Sequence, residues 1–228
     1  MATFDDRLQD LIGTNYATVA AQSKSDLFNS AVAEVVDMLP SELLLKYAID
    51  PIDLSNSPSS WEHDGTAGGP KGKKVLLVLR RESSGGIRRE CRVVSLKEYY
   101  RTTDTGSIYL ATKHTPIYAY TSNGGNTGIS LHPLPTADET ARIYYFTYPI
   151  TDVLTSATSI SGVPNEAEQA IVLKTCIKLL QTYISDYVQD EEDTEMQNML
   201  LAQQKTLEQQ YQSEMVRYTE QDATPRGE

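Results

Sequence analysis

The hydrophobic positions of this chain change their period twice. In TFDDRLQDLIG, Phe4, Leu8, Leu11 and Ile12 recur at helical steps, acids occupy the first turn and Gly13 offers a stop. Leu27, Phe28, Ala31, Val32, Val35, Val36 and Leu39 then fall on one wide helical face that Pro40 ends, with Ser23 or Ser25 as candidate cap. SELLLKYA, capped by Ser41 and followed by Pro51, predicts a short third helix. Residues 50–72 collect Pro, Ser, Gly and Asp in SNSPSSW and GTAGGPKG, and read as a loop or linker.

From residue 73 the pattern is that of strands. KKVLLVLRR is β-rich, ESSGG supplies a turn, and IRRECRVVSL returns as the second arm of a hairpin. SIYLAT, PIYAYT, GISLHPLP and RIYYFTYPI read as further strands, with SNGGN as a strong turn signal. The helical period resumes after Pro164, with Asn165 or Ser161 as candidate cap. Ala170, Leu173, Ile177, Leu180, Ile184 and Tyr187 form a stripe that Val172, Cys176, Leu179 and Tyr183 widen. DEEDTE interrupts, and a second helix from about 193 to 220 carries a thinner stripe of Met196, Leu200, Leu207, Tyr211 and Tyr218.

These elements predict an α+β fold. Residues 1–52 supply the N-terminal helices of a bundle, 53–72 a linker, and 73–150 an inserted antiparallel β-domain. Residues 151–220 complete the bundle as a helical hairpin, and 221–228 form a flexible tail.

Composition sharpens the picture in one respect. The net charge is −11, yet residues 71–101 hold ten Lys and Arg against three Glu, a local +7 that leaves −18 on the rest. An acidic chain of this kind is a poor free-standing binder of duplex DNA, although its basic middle can meet an acidic partner. No apolar run is long enough for a membrane span, and MATFDDRLQD lacks the pattern of a secretion signal. Cys91 and Cys176 lie far apart without metal-ligand spacing, so reduced thiols made in the cytoplasm are the expectation and a single disulfide the alternative.

Catalytic patterns are scarce. GGPKGKK fails the phosphate-loop rule, because no Gly stands five residues before Gly72 and Lys74 occupies the Ser/Thr position. His63, His114 and His132 have no zinc spacing, and G-x-S-x-G is missing. DEEDTE lacks the alternating ligands of a calcium loop and reads as the acid-rich start of a helix. The fourteen tyrosines serve packing better than base stacking. The basic strands either grip phosphates or present a solvated face, and both readings stay open. The expectation is a protein without enzymatic activity, cofactor or metal.

The run YYFTYP followed by PNEAEQAIVLKTCIKLLQTYISDYVQDEEDTEMQNMLLAQQKTLEQQYQSEM resembles the C-terminal part of tailed-bacteriophage head-to-tail adaptor proteins. FNSAVAEVVDMLPSELLLKYA is similar to their opening helices, and the strand-rich middle resembles their β-insertion. The resemblance covers about two thirds of the chain and rests on a pattern without a signature motif. It implies a structural subunit of the virion neck, synthesised in the host cytoplasm and assembled as a ring, generally a dodecamer, beneath the portal protein. DNA would pass through the lumen without sequence-specific binding, tail nozzle or fibre proteins would dock below, and no membrane would be involved. Thr219, Glu220, Gln221, Asp222 and Arg226 become candidate portal contacts, and Arg88, Arg89 and Arg92 candidate contacts to a tail component or an adjacent subunit. A nozzle, tail-tube or minor capsid protein is the alternative within the virion. A hydrolase with its site in loops 50–72 and 122–127 is the remaining one.

Overall fold

In the computed structural model, residues 2–13, 21–48, 51–55, 60–61, 73–82, 85–123, 126–135, 140–150, 154–190 and 194–222 are described. In chain order they form α1 (Phe4–Ile12), α2 (Ala21–Met38), α3 (Ser41–Leu45), β1 (Ile52–Ser55), β2 (Ser60–Trp61), β3 (Lys73–Arg81), β4 (Arg88–Glu90) and β5 (Arg92–Val93). α4 (Leu96–Thr103), β6 (Ile117–Asn123), β7 (Asn126–His132), β8 (Thr140–Thr147), α5 (Asn165–Asp190) and α6 (Thr194–Asp222) follow. The fold is α+β, with helices at both ends of the chain and strands between. Two compact units result: Met1–Leu44 with Tyr148–Glu228, which is helical, and Leu45–Thr147, which holds the sheets. No described helix is long and apolar enough to cross a membrane.

α5 organises the helical unit. α1, α2 and α6 all pack on it, and from Ala170 to Leu180 every residue is buried except Lys174 and Lys178. The stripe expected from the sequence is therefore the inner part of a surface covered on nearly all sides. Thr175, fully buried, satisfies its hydroxyl by donating to the Ile171 carbonyl at 2.7 Å. Lys174 and Lys178, one turn apart, carry their charge out along the helix to Glu34 on α2, Lys174 at 3.0 Å. Ile184 and Tyr183 are half-buried, and the side chain of Tyr187 lies outside the described residues.

The other helices close around this axis. Thr3 and Asp6 form a reciprocal capping box at the start of α1, and Gly13, at φ 72°, returns its N–H to the Gln9 carbonyl at the end. The rings of Phe4 and Phe28 lie 5.0 Å apart and join α1 to α2. α2 begins at Ala21, so Ser25 is buried inside the helix rather than capping it, as expected for Ser23 or Ser25. The Pro164 carbonyl accepts from the Ala167 N–H at 2.9 Å, and Pro164 so holds the cap position expected of Asn165 or Ser161. On α6, Leu200, Leu207, Tyr211 and Tyr218 are buried, and the Tyr218 hydroxyl donates to the Glu166 carbonyl at 2.6 Å. α6 continues to Asp222, so the first two residues of the expected flexible tail are helical.

The strand unit contains two four-stranded sheets, ordered β1-β8-β3-β4 and β2-β7-β6-β5. The hairpin expected after residue 73 forms over Leu79↔Glu90 to Arg81↔Arg88 and then breaks. The Cys91 N–H still reaches the Val78 carbonyl at 2.8 Å, but β5 joins the second sheet and runs parallel to β6. The expectation of a wholly antiparallel domain is corrected at this point. A parallel pair needs a crossover, and the segment between β5 and β6 provides it. That segment holds α4, capped by the Ser95 hydroxyl accepting from the Glu98 N–H at 3.2 Å, where the sequence reading continued a strand through VVSL. SIYLAT, also expected as a strand, folds as turns, with Ser107 donating to Asp104 at 3.0 Å and Leu110 to Ser107 at 3.1 Å. Within the expected linker at 53–72, residues 53–55 belong to β1, which pairs with β8, and 60–61 form β2, which pairs with β7; residues 56–59 and 62–72 lie outside the described residues. These two strands are too short to show a period, and their partners in the sheets are more than sixty residues away.

Val78, Ala141 and Ile143 from one sheet meet Tyr118, Ile129 and Leu131 from the other, with Cys91 where the chain changes sheets. On the far side of β6, Ile117 and Ala119 pack with Val94, Ala111 and Tyr99, which seats α4. Arg80 lies fully buried on the core side of β3. Its guanidinium donates to the carbonyls of Pro133 at 2.7 Å, Arg81 at 3.0 Å and Leu134 at 3.1 Å, so β3 grips the segment that leaves β7.

Two expectations about stability follow from the helical unit. Ile177→Asp places an unpaired charge at a site 4% exposed, a cost of several kcal/mol against the roughly 5–15 kcal/mol that holds a domain folded. Gln209→Glu on the exposed side of α6 should leave the melting temperature almost unchanged, and equal losses in the two variants would refute this assignment of faces. The second concerns acid. The hydrogen bond from Lys178 holds the Glu34 carboxyl below its ordinary value of 4.5, and Lys174 adds to the effect. A lowered folded-state pKa gives stability that is present above the unfolded value and is lost as pH falls through the folded one. Glu34→Gln should cost ~0.2–1 kcal/mol at pH 7, as for a partly exposed pair, and the two melting curves should converge in acid. Parallel curves down to pH 3 would remove Glu34 from the account.

Candidate functional site

Charge divides by unit. The strand unit carries thirteen Lys and Arg against ten Asp and Glu, a net +3, whereas the helical unit carries seven against twenty-one, a net −14. The basic segment singled out from the sequence thus becomes β3, β4, β5 and α4, which lie in two different sheets and a helix.

Arg88, Arg89 and Arg92 do not form one cluster. Arg89, on β4, donates through Nε to Glu82, whose Oε1 also meets His114 Nδ1 at 2.8 Å. The Arg89 hydrogen bond, with His114 beside it, holds the Glu82 carboxyl below its ordinary value. Arg92, on β5 in the other sheet, donates to Glu98 on α4 at 2.8 Å. Arg88 lies directly across the ladder from Arg81, an unfavourable like-charge pairing. Two of the three guanidiniums therefore already face a carboxylate of their own chain.

The same corner of the strand unit has a feature that sequence reasoning missed. Val93, Leu96, Tyr100, Ile108, Tyr109 and Leu110 are all exposed, Ile108 to 91% and Tyr100 to 67%. Leu96 and Tyr100 share a face of α4 one turn apart, and the Arg101 guanidinium sits 4.0 Å over the Tyr109 ring, tying α4 to the following turn. A cleft of about 320 Å³ opens beside them, lined by Glu90, Arg92, Thr102, Tyr109, His114 and Ile117 among others. Reading SIYLAT as a strand hid this face, since a strand buries alternate residues. The turn residues Asp104, Gly106 and Ser107 and the cap-like SLKE were the available signals.

The remaining candidates lend no reactive constellation. Cys91 and Cys176 are both free and buried, and burial pushes each thiol up to about 12, so neither is a thiolate at neutral pH. His132 is held below its ordinary value by burial and by the charge of Arg80. Among the described residues no group of three His, Cys, Asp or Glu is placed to hold a metal ion. His63 lies outside the described residues, as do Glu191, Glu192 and Asp193 of the acidic cluster. Thr219, Glu220, Gln221 and Asp222 form the last turn of α6, while Arg226 lies outside the described residues. No protein-family model matches the chain, and no curated protein matches it.

The pairing pattern separates the three arginines by experiment. Arg89→Glu sets two carboxylates against each other at Glu82 and should lower the melting temperature of the strand unit. Arg88→Glu replaces a like pair with an opposite one across from Arg81, and should be neutral or stabilising by roughly 0.2–1 kcal/mol. Thermal melts that rank the two variants the other way would contradict the pairing.

Proposed function

We propose that this protein is a structural subunit of a bacteriophage virion neck, forming a ring between portal and tail that extends the DNA channel and receives the tail. The observation that carries the reading is the joint arrangement of fold and charge. A helical unit assembled from both ends of the chain carries twenty-one of the thirty-one acidic residues and a net −14, and a strand unit of net +3 is inserted between its halves. This is the organisation that the resemblance to head-to-tail adaptors implies. Acid-rich helices lining a lumen repel the DNA backbone, so that DNA slides past without adhering. The long α6, with one buried face and a largely polar remainder, leaves surface for neighbours, and ring interfaces are wetter than cores.

Within this reading the end of α6, from Thr219 to Asp222, and the residues after it, Arg226 included, contact the portal. The strand unit meets the tail nozzle, a fibre protein or the adjacent subunit. Removing residues 219–228 deletes the last turn of α6 but leaves Tyr218 and its bond to Glu166 in place. The melting temperature of the truncated protein should fall by no more than a few degrees. Its co-assembly with portal, followed by electron microscopy of the mixture, should be lost, where the full chain gives a ring docked on the portal. Equal docking by the truncated chain would exclude the portal role of this segment. Failure of the full chain to bind portal would exclude the neck assignment.

A further inference from the structure

The exposed face beside the cleft is too concentrated to be ordinary surface. Of fifteen large hydrophobic side chains exposed among the described residues, six fall between Val93 and Leu110, less than a tenth of the chain. Tyrosines and arginines, the residue types that dominate interface energetics, are interleaved there: Tyr100, Arg101 and Tyr109, with Arg92 at the rim. From Arg92 to Lys113 the segment carries four cations against Glu98 and Asp104. An apolar centre with a basic rim suits an acidic partner surface, and this chain's own helical unit, at −14, is such a partner. That unit also exposes Met199 and Leu201 on α6 as apolar counterparts.

We propose that the face formed by Leu96, Tyr100, Ile108 and Tyr109, rimmed by Arg92 and Arg101, docks on the acid-rich helical unit of a second copy of the chain. The contact joins two different surfaces, so it is heterologous and propagates from copy to copy, closing into a ring or running on as a filament. The proposal deepens the self-associating part of the proposed function and rests on it. It also reassigns the work from Arg88 and Arg89 to the neighbouring apolar face.

The test is sedimentation velocity on the full chain from 1 to 100 µM, with ~50 mM and ~500 mM salt compared because charge pairing at a rim is screened. The unaltered protein should self-associate, more weakly at high salt. Tyr100→Asp with Ile108→Asp should weaken association at least tenfold while melting as the parent does. Arg92→Glu with Arg101→Glu should weaken it as much while staying folded with a lower melting temperature, because a carboxylate at position 92 faces Glu98 and the Arg101–Tyr109 contact is lost. A photo-crosslinking benzoylphenylalanine at Ile108, in a mixture of isotopically light and heavy chains, should capture peptides from 1–44 or 148–228 of the other copy. Unchanged association in either folded variant, or capture of the other copy's 45–147, overturns the proposal while leaving the neck assignment standing. An unaltered protein that stays monomeric throughout also overturns it, whereas the neck assignment is decided by portal docking alone.

Discussion

Everything in the helical unit depends on the burial of α5. A helix covered on nearly every side between Ala170 and Leu180 has no wet stripe to trade away, so each neighbour must match it in shape. α1, α2 and α6 are amphipathic or polar and have no comparable core of their own; they become ordered by covering α5. The pair of lysines that interrupts the burial resolves the conflict between a dry helix and its own charge. Lys174 and Lys178 lay their aliphatic stems along the contact and bring both ammonium groups to one carboxylate, Glu34, with Lys174 also lying 5.4 Å over the Tyr211 ring. One polar node thereby ties together α2, α5 and α6.

The strand unit solves a different problem with a different residue. Its two sheets face each other across a small apolar core, and the edge of that core is closed by the guanidinium of Arg80 rather than by another hydrophobe. A planar donor with several N–H groups suits a place where chain leaves a strand and exposes consecutive carbonyls. An apolar replacement there would leave the carbonyls of Pro133 and Leu134 without this partner. One arginine of the basic 71–101 segment is thus a structural one.

How much of this was legible follows from the range of each signal. α2, α5 and α6 were readable because a period of three or four residues repeated over many turns, α1 because its short stripe lies between first-turn acids and Gly13, and β3, β6, β7 and β8 because runs such as PIYAYT and RIYYFT are long and rich in aromatic and β-branched residues. β1 and β2 left no local trace, since four or two residues carry no period and only a distant strand defines them. α4 and the turns around Ile108 were misread because apolar residues were assumed to be buried, when in this segment they are exposed. That same assumption hid the candidate surface and directed attention to Arg88, Arg89 and Arg92, two of which are held by Glu82 and Glu98.

The central place of α5 has a consequence for synthesis on the ribosome. The apolar faces of α1 and α2 are complete once residue 39 has emerged, yet the helix they cover ends its buried stretch only at Leu180. At ~5–20 residues per second the intervening chain takes on the order of ten seconds to appear. The strand unit, a compact unit spanning 45–147, can close during that interval. For the same interval Phe28, Val32 and Val36 have no permanent cover and are open to chaperones or to nascent neighbours. The first helices of this unit are covered only after the whole strand unit has been made.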